Sequence, residues 1–276
     1  MSPPSVPQPF DRALLRTRLD RAAPGFDAAG FLKERAAADI VDRLGAILRP
    51  FPLAVDLGAR TGAFRRALAG SDVRIETLIE TDPSARMLAG RSGLRVQAEE
   101  EGLPFAPGSL DLVVSSLALH TVNDFVGALI AIRQALRPDG AFIAGLLGGG
   151  TLLELRRALV EAESELRGGA GPRVATFLNA LDAPGLMQRA GFVEPVADVD
   201  RVTVGYAHPL ALMQDLRRMA ETAVMTQRAR TPLTRALLSR AFELYPKRPD
   251  GRIEATFEIV TLTGWAPAAD RRLSPR

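Results

Sequence analysis

The chain has 276 residues, 47% of them hydrophobic, which is enough to bury one sizeable core with a cap rather than two equal domains. It has no cysteine and two histidines, so disulfides and thiolate metal sites are excluded and little is left for a histidine-built one. The formal net charge is +3, and no dense Lys/Arg tract is interleaved with aromatics, so nucleic acid is not the expected partner.

Residues 1–9 are proline-rich and read as mobile. The start of the chain lacks the apolar core of a secretory signal. The apolar run 141–147 is far short of the ~20 residues a membrane span needs. The expectation is a soluble cytoplasmic protein. The early Arg12, Arg16, Arg18 and Arg21 leave an organellar matrix open if the source is eukaryotic.

Residues 10–22 and 29–48 read as helices. In the second, Phe31, Ile40, Leu44 and Ile47 supply part of an apolar stripe, closed by Pro50 and Pro52. Strand and helix then alternate. Strands are predicted at 53–56, 76–80, 94–98, 110–115 and 141–146, with helices at 64–69, 83–91 and 125–136. Asp82 is the predicted N-cap of the 83–91 helix, with Pro83 at its first position. Short apolar strands in this rhythm imply a parallel sheet with helices on both faces.

After residue 150 the rhythm changes. Helices are predicted at 151–167, 183–190, 209–227 and 232–245, with a glycine-rich loop at 168–172. One or two strands fall within 192–206, and a last one at 255–265. Two strands bracketing a helical insertion predict an antiparallel pair at one sheet edge, with a helical cap above.

The chemistry concentrates at strand ends. Asp56 closes the first strand, and the glycine turn Leu57-Gly-Ala-Arg-Thr-Gly62 follows, where a ligand can lie against bare backbone and a helix start offers free N–H groups. Asp82 closes the second strand, Glu99 and Glu100 follow the third, and Ser115 and Ser116 end the fourth. In a doubly wound sheet these ends form the ligand crevice. A carboxylate at the second can accept two hydrogen bonds from a ribose diol, and a Glu at the third can face an adenine edge. The site is nucleoside-shaped.

Five segments in order, Asp56-Leu-Gly-Ala-Arg-Thr-Gly62, Asp82-Pro-Ser-Ala-Arg-Met-Leu88, Glu101-Gly-Leu-Pro-Phe105, Ser109-Leu-Asp-Leu-Val-Val-Ser-Ser116 and Leu136-Arg-Pro-Asp-Gly140, resemble the motifs of class I S-adenosylmethionine-dependent methyltransferases. The resemblance implies an α/β, Rossmann-like, doubly wound seven-stranded sheet whose last strand is antiparallel. It implies S-adenosyl-L-methionine as cofactor, with Gly58 and Gly62 at its methionine end, Asp82 on ribose, Glu99 and Glu100 at the adenine and Ser115 beside the transferable methyl. The parts would be an N-terminal arm with helices (1–50), a cofactor-binding core (51–150), and the rest of the sheet with its cap (151–276), in one methyltransferase-like domain. No metal site is expected.

Pro9-Phe-Asp-Arg12, His120 with Val122-Asn-Asp124, Gly148-Gly-Gly-Thr-Leu-Leu-Glu-Leu-Arg156, Arg189-Ala-Gly-Phe192 and Gly264-Trp265 resemble a narrower subgroup. It holds a mitochondrial complex I assembly factor that hydroxylates an arginine of a NADH dehydrogenase subunit, and the malonyl-acyl-carrier-protein O-methyltransferase of biotin synthesis. The expected activity is methyl transfer to an oxygen or nitrogen acceptor, a small molecule or a protein. The alternatives are arginine hydroxylation, or a non-catalytic assembly chaperone with a degenerate site. A NADH dehydrogenase subunit or an acyl carrier protein is the implied partner.

The sequence departs from the pattern at Arg60, where a middle glycine is usual, at Thr121 for Trp and at Glu99 for Asp. An outward Arg60 leaves the pocket open and can meet the cofactor's carboxylate; an inward one blocks it. His120 is either a satisfied structural histidine or an acceptor-side proton contact. Arg156 is either a surface charge or a grip on a substrate carboxylate.

Overall fold

The computed structural model describes residues 7–269, so the first six residues of the proline-rich stretch lie outside the described residues. The N-terminal helices are α1 (Arg12–Ala22), whose first turn is capped by the Asp11 side chain, and α2 (Phe31–Gly45). There follow β1 (Phe51–Leu57), α3 (Ala63–Leu68), β2 (Ile75–Asp82), α4 (Ala85–Leu88), β3 (Leu94–Gln97), β4 (Leu110–Ser116), α5 (Phe125–Ala135) and β5 (Leu136–Leu147). The second half adds α6 (Leu153–Arg167), α7 (Ala183–Arg189), β6 (Val193–Tyr206), α8 (Pro209–Arg218), α9 (Arg235–Leu244) and β7 (Ile253–Trp265).

The seven strands form one sheet in the order β3-β2-β1-β4-β5-β7-β6. The first five run parallel, and β7 is antiparallel to both β5 and β6. Strand order reverses between β1 and β4, so the crevice of a doubly wound sheet opens at their carboxyl ends. β1 and β4 are buried on both faces, as their continuous apolar sequences require. One face packs under α2 and α3 through Ile40, Phe64 and Ile143; the other packs under α5 and α7 through Leu129, Phe142 and Met187. A third cluster, Leu155, Leu212, Leu237 and Phe257 among others, joins α6, α8 and α9 to β7 and forms the cap's floor.

Several elements differ from their sequence expectation. The 83–91 helix shrinks to the single turn of α4, capped by Ser84, whose Oγ accepts from Met87 N at 3.2 Å. Asp82 is therefore not the cap. The 209–227 helix ends at Arg218, because Ala220 takes φ +60 and turns the chain. Residues 192–206 hold one long strand with a register shift between Val193 and Val196. The 137–140 turn lies within β5 as an irregularity opposite β4, with Asp139 at φ +64.

Candidate functional site

At the end of β1 the chain turns through Gly58 at φ +66. A Cβ there would lie 2.2 Å from the Ala118 Cβ, so only glycine fits. Gly62 opens α3. Asp82 is the last residue of β2 and fully buried. Its Oδ1 accepts from Ser84 N at 2.8 Å and its Oδ2 from Arg60 N at 2.9 Å. Ser115 Oγ donates to Leu57 O at 2.9 Å, which fastens β4 to the end of β1. Glu100 follows β3 and is 1% exposed, with no hydrogen-bond partner on Oε1.

The Arg60 side chain points inward. It is buried, and Nη1 lies 2.8 Å from Asp82 Oδ2 and 3.6 Å from Glu100 Oε1. Burial disfavours the guanidinium charge, but Asp82 and Glu100 more than offset this and raise its pKa. The outward orientation allowed by the sequence is not the one adopted.

Two further cations close the rim. Arg12 of α1 donates to Glu99 Oε2 at 2.6 Å, to Glu100, and to Thr121 O at 3.2 Å. Thus Glu99 is held by the N-terminal arm. Lys33 of α2 is fully buried and donates to Gly58 O at 2.8 Å and to Ser116 O. Burial pulls its pKa down to about 8, against the pull of Asp56. Asp56 lies in the same buried layer with neither carboxylate oxygen hydrogen-bonded, and burial pushes its pKa up to about 7, opposed by Lys33. Lys33 was not singled out from sequence, although a signal existed: this arginine-rich chain has only two lysines, Lys33 and Lys247.

Beneath the cap lies a cavity of about 370 Å³. Leu152, Leu155, Leu159, Phe177, Met213 and Leu216 give it apolar walls, while Arg18, Arg173, Arg217, Arg228 and Glu221 supply charge. Glu221, Leu147 and Phe257 also border a small void of about 30 Å³ that Lys33 and Arg60 line. The cap cavity and the rim therefore adjoin at Glu221. His120 Nε2 lies 3.2 Å from Glu221 Oε2, its ring meets Phe177 edge-on, and Nδ1 has no partner. Burial would raise the Glu221 pKa, but His120, Arg60 and Lys33 together hold it below the usual carboxylate range. Glu221 falls inside the stretch that reads as one long helix, so nothing in the sequence marked it. Arg156 stands apart: it donates to Ala175 O at 2.7 Å and is not among the residues lining the cavity.

A seven-stranded mixed sheet in this order, with an acidic rim at its switch point and an adjoining capped cavity, defines the class I methyltransferase architecture. Residues 55–144 match the methyltransferase domain family. The chain is 37% identical over 268 residues to the mitochondrial arginine-hydroxylase NDUFAF5 of Danio rerio, covering 94% of this chain and 83% of that one. It is 31% identical over 277 residues to the malonyl-[acyl-carrier protein] O-methyltransferase of Gallionella capsiferriformans, covering 94% and 92%. Among solved structures, the YcgJ protein of Bacillus subtilis superposes with a TM-score of 0.58 at 12% identity, covering 85% of this chain and 99% of that one, a likeness of fold alone. The chain belongs to the class I S-adenosylmethionine-dependent methyltransferase family.

S-adenosylmethionine is the cofactor of that family, and the residues present fit it in kind. The Gly58 turn leaves no space for a side chain, Asp82 stands at the second strand end, and the buried carboxylates of Asp56 and Glu100 keep unpartnered oxygens. The one obstacle is the Arg60 guanidinium on Asp82. Among the described residues no group of three or more His, Cys, Asp or Glu is placed for a metal ion, and no helix is long and apolar enough to cross a membrane.

Proposed function

We propose that this chain is an S-adenosylmethionine-dependent methyltransferase acting on an oxygen or nitrogen acceptor held in the cap cavity. The observation that carries this reading is the junction at Glu221, where a large apolar cavity meets the acidic rim. When bound, the cofactor supplies a methyl on a sulfonium, a leaving group already made. The protein's task is then to orient and to exclude water. In this reading Gly58 and Gly62 admit the methionine end against bare backbone, and Asp82 accepts from the ribose diol. Glu99 and Glu100 face the adenine. Ser115 fixes the loop beside the methyl. His120, oriented by Glu221, holds or takes the acceptor's proton at an imidazole nitrogen. The acceptor is a small molecule or a protein segment, with an acyl carrier protein or a NADH dehydrogenase subunit as candidates, in the cytoplasm or an organellar matrix. Isothermal titration with S-adenosylmethionine tests the reading, and no heat at millimolar cofactor ends it.

A second reading is supported by the higher identity to the arginine-hydroxylase relative, 37% against 31% for the O-methyltransferase. Here the chain hydroxylates an arginine of a NADH dehydrogenase subunit, or assists its assembly without catalysis. Mass spectrometry of that subunit from a deletion strain decides: an arginine modification unchanged by the deletion rules out hydroxylation.

A further inference from the structure

Asp82 is the last residue of β2, and one of its two carboxylate oxygens, Oδ2, is already taken twice by one residue. Arg60 donates to Asp82 Oδ2 from its backbone N–H at 2.9 Å and from Nη1 at 2.8 Å. The side chain is 4% exposed, and the backbone sits at φ +50, a conformation that glycine adopts freely and arginine does not. A strained, fully buried arginine in a turn otherwise built for close approach is costly, and the return for it is a charge-assisted bond to the ribose-binding position. A further carboxylate lies near the guanidinium. The small void of about 30 Å³ is bounded by Arg60 itself and by Glu221, a partly buried carboxylate under the cap.

We infer that Arg60 is an internal competitor for the cofactor's ribose, a latch that rests on Asp82 and swings to Glu221 when a nucleoside binds. The inference rests on the methyltransferase reading and adds a chain-specific control to it. In the resting seat, Asp82 is ion-paired with Arg60, and the nucleoside position is occupied by the chain's own cation. A ribose diol has to displace Nη1 from Oδ2, which weakens cofactor binding. The displaced guanidinium then pairs with Glu221, the residue that orients His120. Cofactor occupancy is in this way reported to the acceptor cavity. Arg12 reinforces the resting state from the other side by pairing with Glu99 and Glu100.

The test is equilibrium binding of S-adenosylhomocysteine and of adenosine to the full chain, by calorimetry and by thermal shift. Arg60→Gly relaxes the turn and removes the competitor, and binding of both ligands is expected to tighten at least tenfold. Arg60→Gln keeps the length and loses the charge; it gives a smaller gain in the same direction and serves if the glycine variant does not fold. Glu221→Gln removes the second seat. It is expected to weaken binding several-fold in the wild-type background and to have no effect on top of Arg60→Gly. Equal or weaker binding by both Arg60 variants overturns the latch while leaving the cofactor reading intact. Binding by none of the proteins at millimolar ligand overturns the latch and the cofactor reading together.

Discussion

Lys33 Nζ donates to Gly58 O at 2.8 Å, so a helix outside the sheet reaches through to hold the carbonyl of the glycine turn that ends β1. The same ammonium donates to Ser116 O at the end of β4. One side chain thus ties together the two strand ends between which the crevice opens. Lys33→Met keeps the stem's packing and leaves two buried carbonyls without a donor. Each unsatisfied group costs about 1–3 kcal/mol, so a loss of about 2–6 kcal/mol is expected, read from urea denaturation. A change under 0.5 kcal/mol would show that water or another donor already satisfies those carbonyls.

Asp56 sets a pH dependence with a definite sign. Its ordinary pKa of 3.8 is pushed up to about 7 in the fold, chiefly by burial. The folded state therefore keeps a proton that the unfolded chain releases. This contribution to stability is complete below 3.8 and is lost as pH rises through about 7. Asp56→Asn removes the titration. Between pH 4 and 7 the wild type should lose stability relative to the variant, by up to about 1.4 kcal/mol per pH unit. Parallel stability curves for the two proteins across that range would count against a raised carboxyl.

Much of the scaffold was legible because its signals are local. The apolar runs of β1 and β4 and the glycine turn after Asp56 mark their own positions. The rim residues Asp56, Gly58, Asp82 and Glu100 followed from strand ends. What stayed hidden depends on contacts distant in sequence. Arg12 pairs with Glu99 and Glu100, 87 and 88 positions away. His120 meets Glu221 across 101 positions. The 83–91 helix was over-read because Asp82 looked like a cap, whereas Ser84 takes that role and leaves Asp82 to Arg60. The 209–227 helix was over-read because the apolar spacing continues past Arg218, and only the positive φ of Ala220 stops it. Arg60 drew attention as an anomaly, but a sequence carries no information on which way a long side chain turns.

The glycine run at 148–150 is structural in origin. A Cβ at Gly148 would lie 2.5 Å from Glu258 Oε1 and 2.6 Å from the Val260 Cγ2, both on β7. Glu258 also accepts from Gly150 N at 3.1 Å. Gly148→Ala forces the β5–α6 connection away from β7 and should destabilise by about 1–3 kcal/mol, as overpacked cores do. Gly169→Ala, with nothing within 4 Å of its Cβ, is the control and should be near neutral. Paired thermal melts separate the two, and equal melting temperatures would mean that β7 yields without cost.

His120 lines neither cavity, but its pairing with Glu221 sets an oriented imidazole against the residue at which the two adjoin. Glu221 sits on the segment after α8 and His120 on the loop after β4, so the pair also fastens the cap to the sheet. If the pair moves the acceptor's proton, His120→Asn should lower kcat about 10²–10⁴-fold, the usual range for general acid–base groups. S-adenosylhomocysteine affinity should change far less than kcat, because His120 reaches the rim only through Glu221. A structural role predicts the reverse pattern: a lower melting temperature with kcat nearly intact. Leu159→Trp, which fills part of the 370 Å³ cavity, separates acceptor binding from chemistry. It should raise KM for the acceptor with little effect on kcat at saturation or on cofactor affinity. A loss of cofactor binding in that variant would place the nucleoside, rather than the acceptor, beneath the cap.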